Sequence, residues 1–212
     1  MNVTPEPNPG RRKTDHHDDP VLLVAESVFA RDGFANSSVA AIALAAHVTE
    51  ADIYAQFGSK AELYDATVRN YARAFMGILV AASESAQDFE TTDLIKLAVH
   101  AWFDFVAARP AGTKLLFAEP EGRVLTVSEE VTAELTNRIA ALVVRSAMRR
   151  GADASAAAPY VADMIVGLCL AAARRWVRTP TVESDAVADL VASYVIGAHD
   201  GLDTDVYARF DP

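Results

Sequence analysis

Cysteine is almost absent from this chain of 212 residues, because Cys169 is the only one. A single cysteine excludes an intramolecular disulfide and a cysteine-based zinc site, and it fits a reducing compartment. The N-terminus has prolines and charges in place of the apolar stretch of a signal peptide. The longest apolar run, residues 164–173, is far shorter than the roughly 18 residues that a membrane span needs. We therefore expect a cytoplasmic protein that has no membrane partner.

Positive charge is also scarce. Lys and Arg total 19 against 29 for Asp and Glu, which gives a formal net charge of −10. Because binding by bulk charge depends on neutralising phosphates, so acidic a chain is not expected to coat nucleic acid. The one basic cluster is Arg11, Arg12 and Lys13, in a proline-rich segment, whereas the C-terminal end is acidic. Any contact with DNA must therefore be local.

The patterns of catalytic and cofactor sites are missing as well. The five histidines are scattered along the chain, and no glycine-rich phosphate loop occurs. Cys169 lies within an apolar helical run, where a cysteine is usually inert. We therefore expect a protein that is not an enzyme and that has no catalytic residues, no metal site and no cofactor.

Helical periodicity, in contrast, runs through most of the chain. Hydrophobic residues make up 51% of it and alternating β-branched runs are scarce, which predicts an all-α fold. Residues 1–18 have prolines and no apolar face, so we expect a disordered basic arm. The first helix should begin at Asp19, a candidate N-cap that precedes Pro20. Gly33 is expected to end it as a left-handed cap, and Phe34 supplies the apolar contact that often follows.

Two short helical patterns joined by a tight turn come next, which is the arrangement of a helix-turn-helix. Ser38 can cap the first of them. Thr49 opens the second, where it can form a capping box with Asp52. Ser59 and Glu62 have the same spacing at the start of a long fourth helix. The sequence therefore marks the third and fourth helix starts by their caps.

Apolar spacing predicts further helices at about 92–108, 111–118, 128–150, 156–178 and 183–199. We divide the chain into the arm, a helix-turn-helix domain at residues 19–63, and a helical domain at residues 64–212.

The residues that carry a family resemblance are Ala25-x-x-Val28-Phe29, Gly33-Phe34, Ser37-Ser38-Val39, Ile42-Ala43, Val48-Thr49, Ile53-Tyr54, Phe57, Ser59-Lys60 and Leu63. This pattern resembles the DNA-binding domain of the tetracycline-repressor (TetR) family of transcriptional regulators. The resemblance implies a ligand-responsive repressor that binds palindromic, double-stranded operator DNA as a homodimer. A small hydrophobic effector of unknown identity would release it from DNA.

The resemblance also places the recognition helix at residues 49–57 and implies the DNA contacts. Ser38, Tyr54 and Lys60 are the expected phosphate contacts, and Gln56 is a further polar candidate. The full set of candidate DNA-binding residues is Ser38, Thr49, Glu50, Asp52, Tyr54, Gln56 and Lys60, together with Arg11, Arg12 and Lys13.

The chain departs from the family pattern at two places. His47 stands where relatives usually have Gly, and His is among the few other residues that adopt a positive φ. Glu50, Ala51 and Asp52 stand where relatives often have Lys or Arg, then Gly, then Thr or Ser. Asp52 is explained either by the capping box or as an acid that faces DNA. Glu50 either accepts a hydrogen bond from a cytosine or penalises non-specific binding.

These acids leave two alternatives open. Residues 20–60 are net acidic, so the basic arm either supplies the missing positive charge or is a solvated tail without function. The alternative function is a TetR-like helical regulator that binds a ligand or a protein and has lost specific DNA binding.

In the family the effector binds within the C-terminal helices. The candidate pocket residues are therefore Tyr71, Phe75, Trp102, Phe103, Phe117, Met164 and Leu168, although each of them is also a plausible core residue. The helices at about 156–178 and 183–199 carry small residues and resemble the dimerising pair of the family. Two such pairs would form a four-helix bundle.

Overall fold

The computed structural model describes residues 19–85, 90–116 and 125–210. All regular elements in this part of the chain are helical, which confirms the predicted all-α fold. They are α1 (Pro20–Asn36), α2 (Val39–Ala45), α3 (Glu50–Phe57), α4 (Lys60–Ser85), α5 (Thr91–Ala108), α6 (Pro110–Leu116), α7 (Leu125–Arg149), α8 (Ala158–Arg178), α9 (Ser184–Gly201) and a short 3₁₀ helix (Thr204–Arg209). The predicted basic arm and Phe117 lie outside the described residues.

Capping side chains begin the helices where the sequence predicts. The Asp19 carboxylate accepts a hydrogen bond from the backbone N–H of Val21 at 2.9 Å, and Pro20 takes the first helical position. At the start of α4, Ser59 Oγ accepts from the Glu62 backbone N–H at 3.1 Å and donates to its carboxylate at 2.8 Å. Each cap satisfies an N–H group that the helix itself leaves without a partner.

Gly33 does not end α1 as a left-handed cap, so this prediction is wrong. Gly33 has the positive φ of 74°, but its ψ of 166° is extended, and α1 resumes after the kink and runs to Asn36. The cause is the packing of Phe34. Its ring centroid lies 5.3 Å from that of Tyr64 and 6.2 Å from that of Phe29, which holds the chain against α4 for a further turn.

The later helices lie within a few residues of their predicted bounds. The 3₁₀ helix was not predicted. Its start is capped by the Asp203 carboxylate, which accepts from the Asp205 backbone N–H at 3.0 Å. Tyr207 anchors it in a small apolar cluster that includes Ala147 and Ala157.

The buried apolar side chains form two main clusters. The first core lies among α1, α2, α3 and the beginning of α4, and Leu115 of α6 also belongs to it. The second core lies among α4, α5, α7, α8 and α9. Because Tyr64 and Val68 of α4 pack in the first core, that core extends beyond residue 63.

Candidate DNA-binding surface and effector core

The candidate recognition helix, α3, shows most of its side chains to solvent. Ile53 is its only fully buried residue and anchors it in the first core. Glu50, Asp52 and Tyr54 are exposed, the Tyr54 side chain with 46% of its surface accessible. One side of α3 therefore packs against the first core, and the other side is exposed to solvent.

The turn that precedes α3 is built without glycine. His47 has a φ of 58°, as its position predicts. Its backbone N–H donates to the Leu44 carbonyl at 3.3 Å, and the Val48 N–H donates to the Ala43 carbonyl at 3.0 Å. These bonds close the C-terminus of α2, and His is one of the residues that accept such a conformation at modest cost.

The capping box at the start of α3 is confirmed. Thr49 Oγ1 accepts from the Asp52 backbone N–H at 3.2 Å, and the Asp52 carboxylate accepts from the Thr49 backbone N–H at 3.0 Å and from its hydroxyl at 2.6 Å. These hydrogen bonds lower the pKa of the Asp52 carboxyl, the bond from the Thr49 hydroxyl most. The capping box therefore accounts for Asp52 without a contact to DNA.

Glu50 differs from Asp52. It is the first residue of α3, it is exposed, and among the described residues it makes no hydrogen bond or ion pair. A carboxylate in a first helical turn is favoured by the helix dipole, but nothing else in the domain accounts for it. Both interpretations of Glu50 stay open.

Other predicted DNA contacts already have partners within the protein. Gln56 Nε2 donates to the Asp19 carboxylate at 2.8 Å. Lys60 Nζ donates to the Ala35 carbonyl at 3.3 Å and lies 4.8 Å from the centroid of the Phe34 ring. These groups must exchange their partners before they can contact DNA.

The two cations of residues 20–60 are Arg31 and Lys60. The Arg31 guanidinium forms two hydrogen bonds of 2.7 Å with the Asp32 carboxylate. Because an exposed ion pair contributes only about 0–1 kcal/mol, a phosphate can compete for Arg31.

Ser38 is exposed at the start of α2, where its hydroxyl accepts a hydrogen bond from the Ala41 backbone N–H at 3.4 Å.

A buried ion pair that sequence reasoning missed connects α1 to the start of α6. Glu26 and Arg109 have side chains that are only 6% and 18% exposed, and the guanidinium donates to both carboxylate oxygens. The guanidinium also lies 5.2 Å from the ring centroid of Tyr71 and 5.5 Å from that of Phe105. The signal in the sequence is a glutamate beside the apolar stripe of the first helix.

Tyr71 is held tightly beside this pair. Its hydroxyl forms a hydrogen bond of 2.5 Å with Thr113 Oγ1, and burial raises the pKa of Tyr71. A Cβ atom on Gly112 would lie 1.9 Å from Cδ2 of the Tyr71 ring, so α6 rests directly on that ring. We call Glu26, Tyr71, Arg109, Gly112 and Thr113 the α1–α4–α6 joint, because they connect these three helices.

The structure brings together Tyr71, Phe75, Trp102 and Phe103, which are all buried in the second core. The Phe75 and Trp102 ring centroids lie 4.1 Å apart. Phe105, which we did not predict, joins this group with its ring centroid 4.9 Å from that of Tyr71. A place in the core suits both interpretations of these residues, so their contact with an effector stays a prediction.

Met164 and Leu168 lie apart from this group, contrary to their predicted place in an interior pocket. They are 66% and 38% exposed on α8. The side of α8 that is buried carries Ala158, Ala162, Val166 and Ala173 instead. Because the buried side of α8 consists mainly of alanine, a ranking by size and hydropathy favours the larger side chains of the outer side instead.

An exposed apolar surface lies on α8 and α9. We define the α8–α9 surface by its large exposed side chains, which are Tyr160, Met164, Leu168, Leu190 and Tyr194. Gly167 and Gly197 are exposed on the same helices, and a Cβ on either would meet no atom within 4 Å. Exposed apolar side chains of this size on neighbouring helices mark a candidate site of interaction.

Among the described residues, no helix is both long and apolar enough to cross a membrane. Within the same residues, no three His, Cys, Asp or Glu side chains are grouped so that they could bind a metal ion.

Residues 21–67 match the family model described as bacterial regulatory proteins, tetR family. A TetR-like transcriptional regulator from Rhodococcus sp. RHA1 has a similar solved structure, with a TM-score of 0.68 and 22% identity over 91% of this chain and 100% of that chain. The fatty acid degradation regulator FadR from Bacillus halodurans gives a TM-score of 0.74 and 17% identity over 88% and 97%.

FadR from Bacillus subtilis, solved in complex with stearoyl-CoA, gives a TM-score of 0.70 and 16% identity over 87% of this chain and 99% of that chain. The likeness to these structures therefore extends through the second core as well as the helix-turn-helix. Residues 21–67 therefore match the DNA-binding domain of the tetR family, and the chain as a whole shares the fold of these solved transcriptional regulators.

Proposed function

We propose that this protein is a transcriptional repressor that binds palindromic operator DNA as a dimer and is released by a small hydrophobic effector. The observation that carries the proposal is the setting of α3, which is fixed by its capping box and by Ile53 while Glu50 and Tyr54 are exposed. A recognition helix in this setting presents its first turns to the major groove.

The proposal assigns the missing positive charge to Arg11, Arg12 and Lys13. They precede Asp19, whose carboxylate is bonded to Gln56 of α3. Asp19, the first described residue, therefore lies beside α3, and the proposal is that the segment before it supplies phosphate or minor-groove contacts.

Glu50→Gln separates the two interpretations of that residue. If Glu50 accepts from a cytosine, the change should cost preference at one base pair by about 1–3 kcal/mol, while non-specific binding tightens. If Glu50 only repels the backbone, binding to every sequence should tighten and the preference profile should stay the same. The measurement is a competition series of single-base operator variants at fixed salt.

Two further variants make that measurement specific. Glu134→Gln changes the net charge equally but lies on α7, so DNA binding should not change. Tyr54→Phe should weaken binding to all sequences about equally, because a phosphate contact carries no base information. If neither Glu50→Gln nor Tyr54→Phe alters binding to any DNA, α3 does not enter the groove and the proposal fails.

The proposed dimer forms through the α8–α9 surface. Five large apolar side chains are exposed there, which is more than a solitary subunit normally leaves to water. Two copies related by a two-fold axis would pack these helices as a four-helix bundle.

Leu190→Glu should convert the dimer to a monomer, because each copy would bury an unpaired carboxylate at a cost of about several kcal/mol. Sedimentation velocity at micromolar concentration measures this. The matched control is Leu44→Glu, which changes an exposed leucine of α2 outside the surface and should leave the dimer intact. A wild-type monomer with its helices intact would remove the two-fold geometry from the proposal.

The second candidate function is a TetR-like regulator that has lost specific DNA binding. The observation that favours it is that Arg31, Gln56 and Lys60 all have partners within the protein. A gel shift with the DNA upstream of the protein's own gene, at two salt concentrations, distinguishes the two. Specific binding supports the repressor, and only weak, salt-sensitive binding or none supports the second candidate.

A further inference from the structure

Two buried side chains, one on α4 and one on α5, have polar groups without a hydrogen-bond partner among the described residues. Asn70 of α4 is 1% exposed, and neither its Oδ1 nor its Nδ2 is paired. Trp102 of α5 is also buried, and its Nε1 is likewise unpaired. Folded proteins leave few buried polar groups in this condition, because each has lost its bonds to water. These atoms therefore require an explanation.

The rest of α4 does not share this feature. Thr67, one turn before Asn70, is equally buried, and its hydroxyl donates to the Leu63 carbonyl at 2.7 Å. Tyr71, the next residue after Asn70, is paired with Thr113. Unpaired polar atoms are thus a property of Asn70 itself and not of a polar helix face.

The two residues lie on the helices that carry the aromatic side chains of the second core. Asn70 precedes Tyr71, and Ala74, one turn after Asn70, packs against the second core. The Trp102 ring contacts Phe75, the next residue after Ala74, at a centroid distance of 4.1 Å. Asn70 and Trp102 therefore lie on the two helices, α4 and α5, that also carry the predicted effector contacts Tyr71, Phe75 and Phe103.

The surroundings of these atoms disfavour a charged ligand. The second core consists of apolar and aromatic side chains. Burial raises the pKa of the Cys169 thiol, which packs against this core, to about 11, and it raises that of Tyr71 as well. Since this interior resists the formation of anions, a carboxylate or a phosphate would be bound there at a large desolvation cost.

We infer that Asn70 and Trp102 bind the head group of the effector, and that this effector is an uncharged molecule whose head group both donates and accepts hydrogen bonds. Trp102 Nε1 and Asn70 Nδ2 donate, whereas Asn70 Oδ1 accepts, so the head group needs both functions. A primary amide on an apolar body supplies them. The inference rests on the proposed effector-binding function and names the ligand class of its site.

Binding of paired probes, measured by calorimetry without DNA, tests the ligand class. The probes are hexanamide and dodecanamide, their N,N-dimethyl counterparts, and dodecanoate at neutral pH. The protein should prefer at least one primary amide over its dimethyl counterpart by about tenfold or more, because only the former can donate to Asn70. Dodecanoate should bind more weakly than dodecanamide, and Asn70→Leu should abolish the preference. If the protein shows no preference for the primary amide at either chain length, or binds none of the probes, the assignment is wrong.

Thermal unfolding of the same variant gives an independent test. Asn70→Leu removes two unpaired buried atoms at similar volume, so its unfolding temperature should rise by about 2–6 °C. Thr67→Val removes a paired hydroxyl on the same helix and should leave that temperature unchanged or lower it. A fall with Asn70→Leu shows that Asn70 is paired within the folded protein and overturns the inference. Neither test contains DNA. If these tests fail, the proposed operator binding is unaffected, and if operator binding fails, the results of these tests still stand.

Discussion

Arg109→Ala is expected to reduce the free energy of unfolding by about 3–5 kcal/mol, because it removes one partner of a buried ion pair. The Glu26 carboxylate would remain inside the protein with 6% of its side chain exposed and without the guanidinium that compensates it. The rings of Tyr71 and Phe105 would also lose the cation that lies over them. Urea unfolding at equal protein concentrations measures the loss, since the stability of the proposed dimer would depend on concentration.

A surface pair provides the control. Arg138 and Glu134 form an ion pair on α7 in which both side chains are about half exposed, so Arg138→Ala should cost at most about 1 kcal/mol. The double variant Glu26→Leu/Arg109→Leu should recover most of the loss, because no unpaired charge remains inside. Equal losses of stability in Arg109→Ala and Arg138→Ala would contradict the expectation that the Glu26–Arg109 pair is buried.

Gly112→Ala is expected to destabilise the protein by about 1–3 kcal/mol, towards the upper end, because the new methyl group overlaps the Tyr71 ring. The Cβ would lie 1.9 Å from Cδ2 and 2.4 Å from Cε2. The ring cannot easily give way, since its hydroxyl is bonded to Thr113 and Arg109 lies over its face. We therefore expect α6 to shift, and the same urea experiment measures the cost.

Gly77→Ala is the matched control for this change. Gly77 also lies in a helix, α4, but a Cβ there would meet no atom within 4 Å. Alanine should thus raise stability by about 0.5–1 kcal/mol through its better helix propensity. In Tyr71→Ala/Gly112→Ala the combined loss should be smaller than the sum of the single losses, because the clash disappears. If Gly112→Ala had as small an effect on stability as Gly77→Ala, α6 would not lie against the Tyr71 ring.

The helix-turn-helix could be predicted closely because its determinants are local. Thr49 and Asp52 are three residues apart, as are Ser59 and Glu62, and both pairs act within one helical turn. Gly33 shows the limit of such reasoning. Its positive φ is a local property, but the path of the chain after it depends on how Phe34 packs against Tyr64 of α4.

The α1–α4–α6 joint could not be predicted, because the residues that pair within it are far apart in sequence. Glu26 and Arg109 are separated by 83 residues, and Tyr71 and Thr113 by 42. Neither charge nor spacing indicates which acid meets which base at such separations. Contacts of this kind appear only once the helices are packed.

The outer side of α8 was mistaken for an inner one for a different reason. Met164 and Leu168 are larger and more hydrophobic than the alanines at positions 158, 162 and 173, so sequence reasoning favoured them as buried. Close packing of α8 against its neighbours uses the small residues instead. Size and hydropathy alone could not identify which side faces the subunit's own core.

The composition of the first core determines how helix-turn-helix domains can be exchanged among proteins of this fold. Tyr64 and Val68 of α4 complete this core, and Leu115 reaches it from α6. A graft that stops at residue 63 would carry α3 to a new host without part of the core that supports it. The unit that can be transplanted is therefore discontinuous in sequence, and a working chimera should keep the first turns of α4 and the matching face of α6 together with the helix-turn-helix.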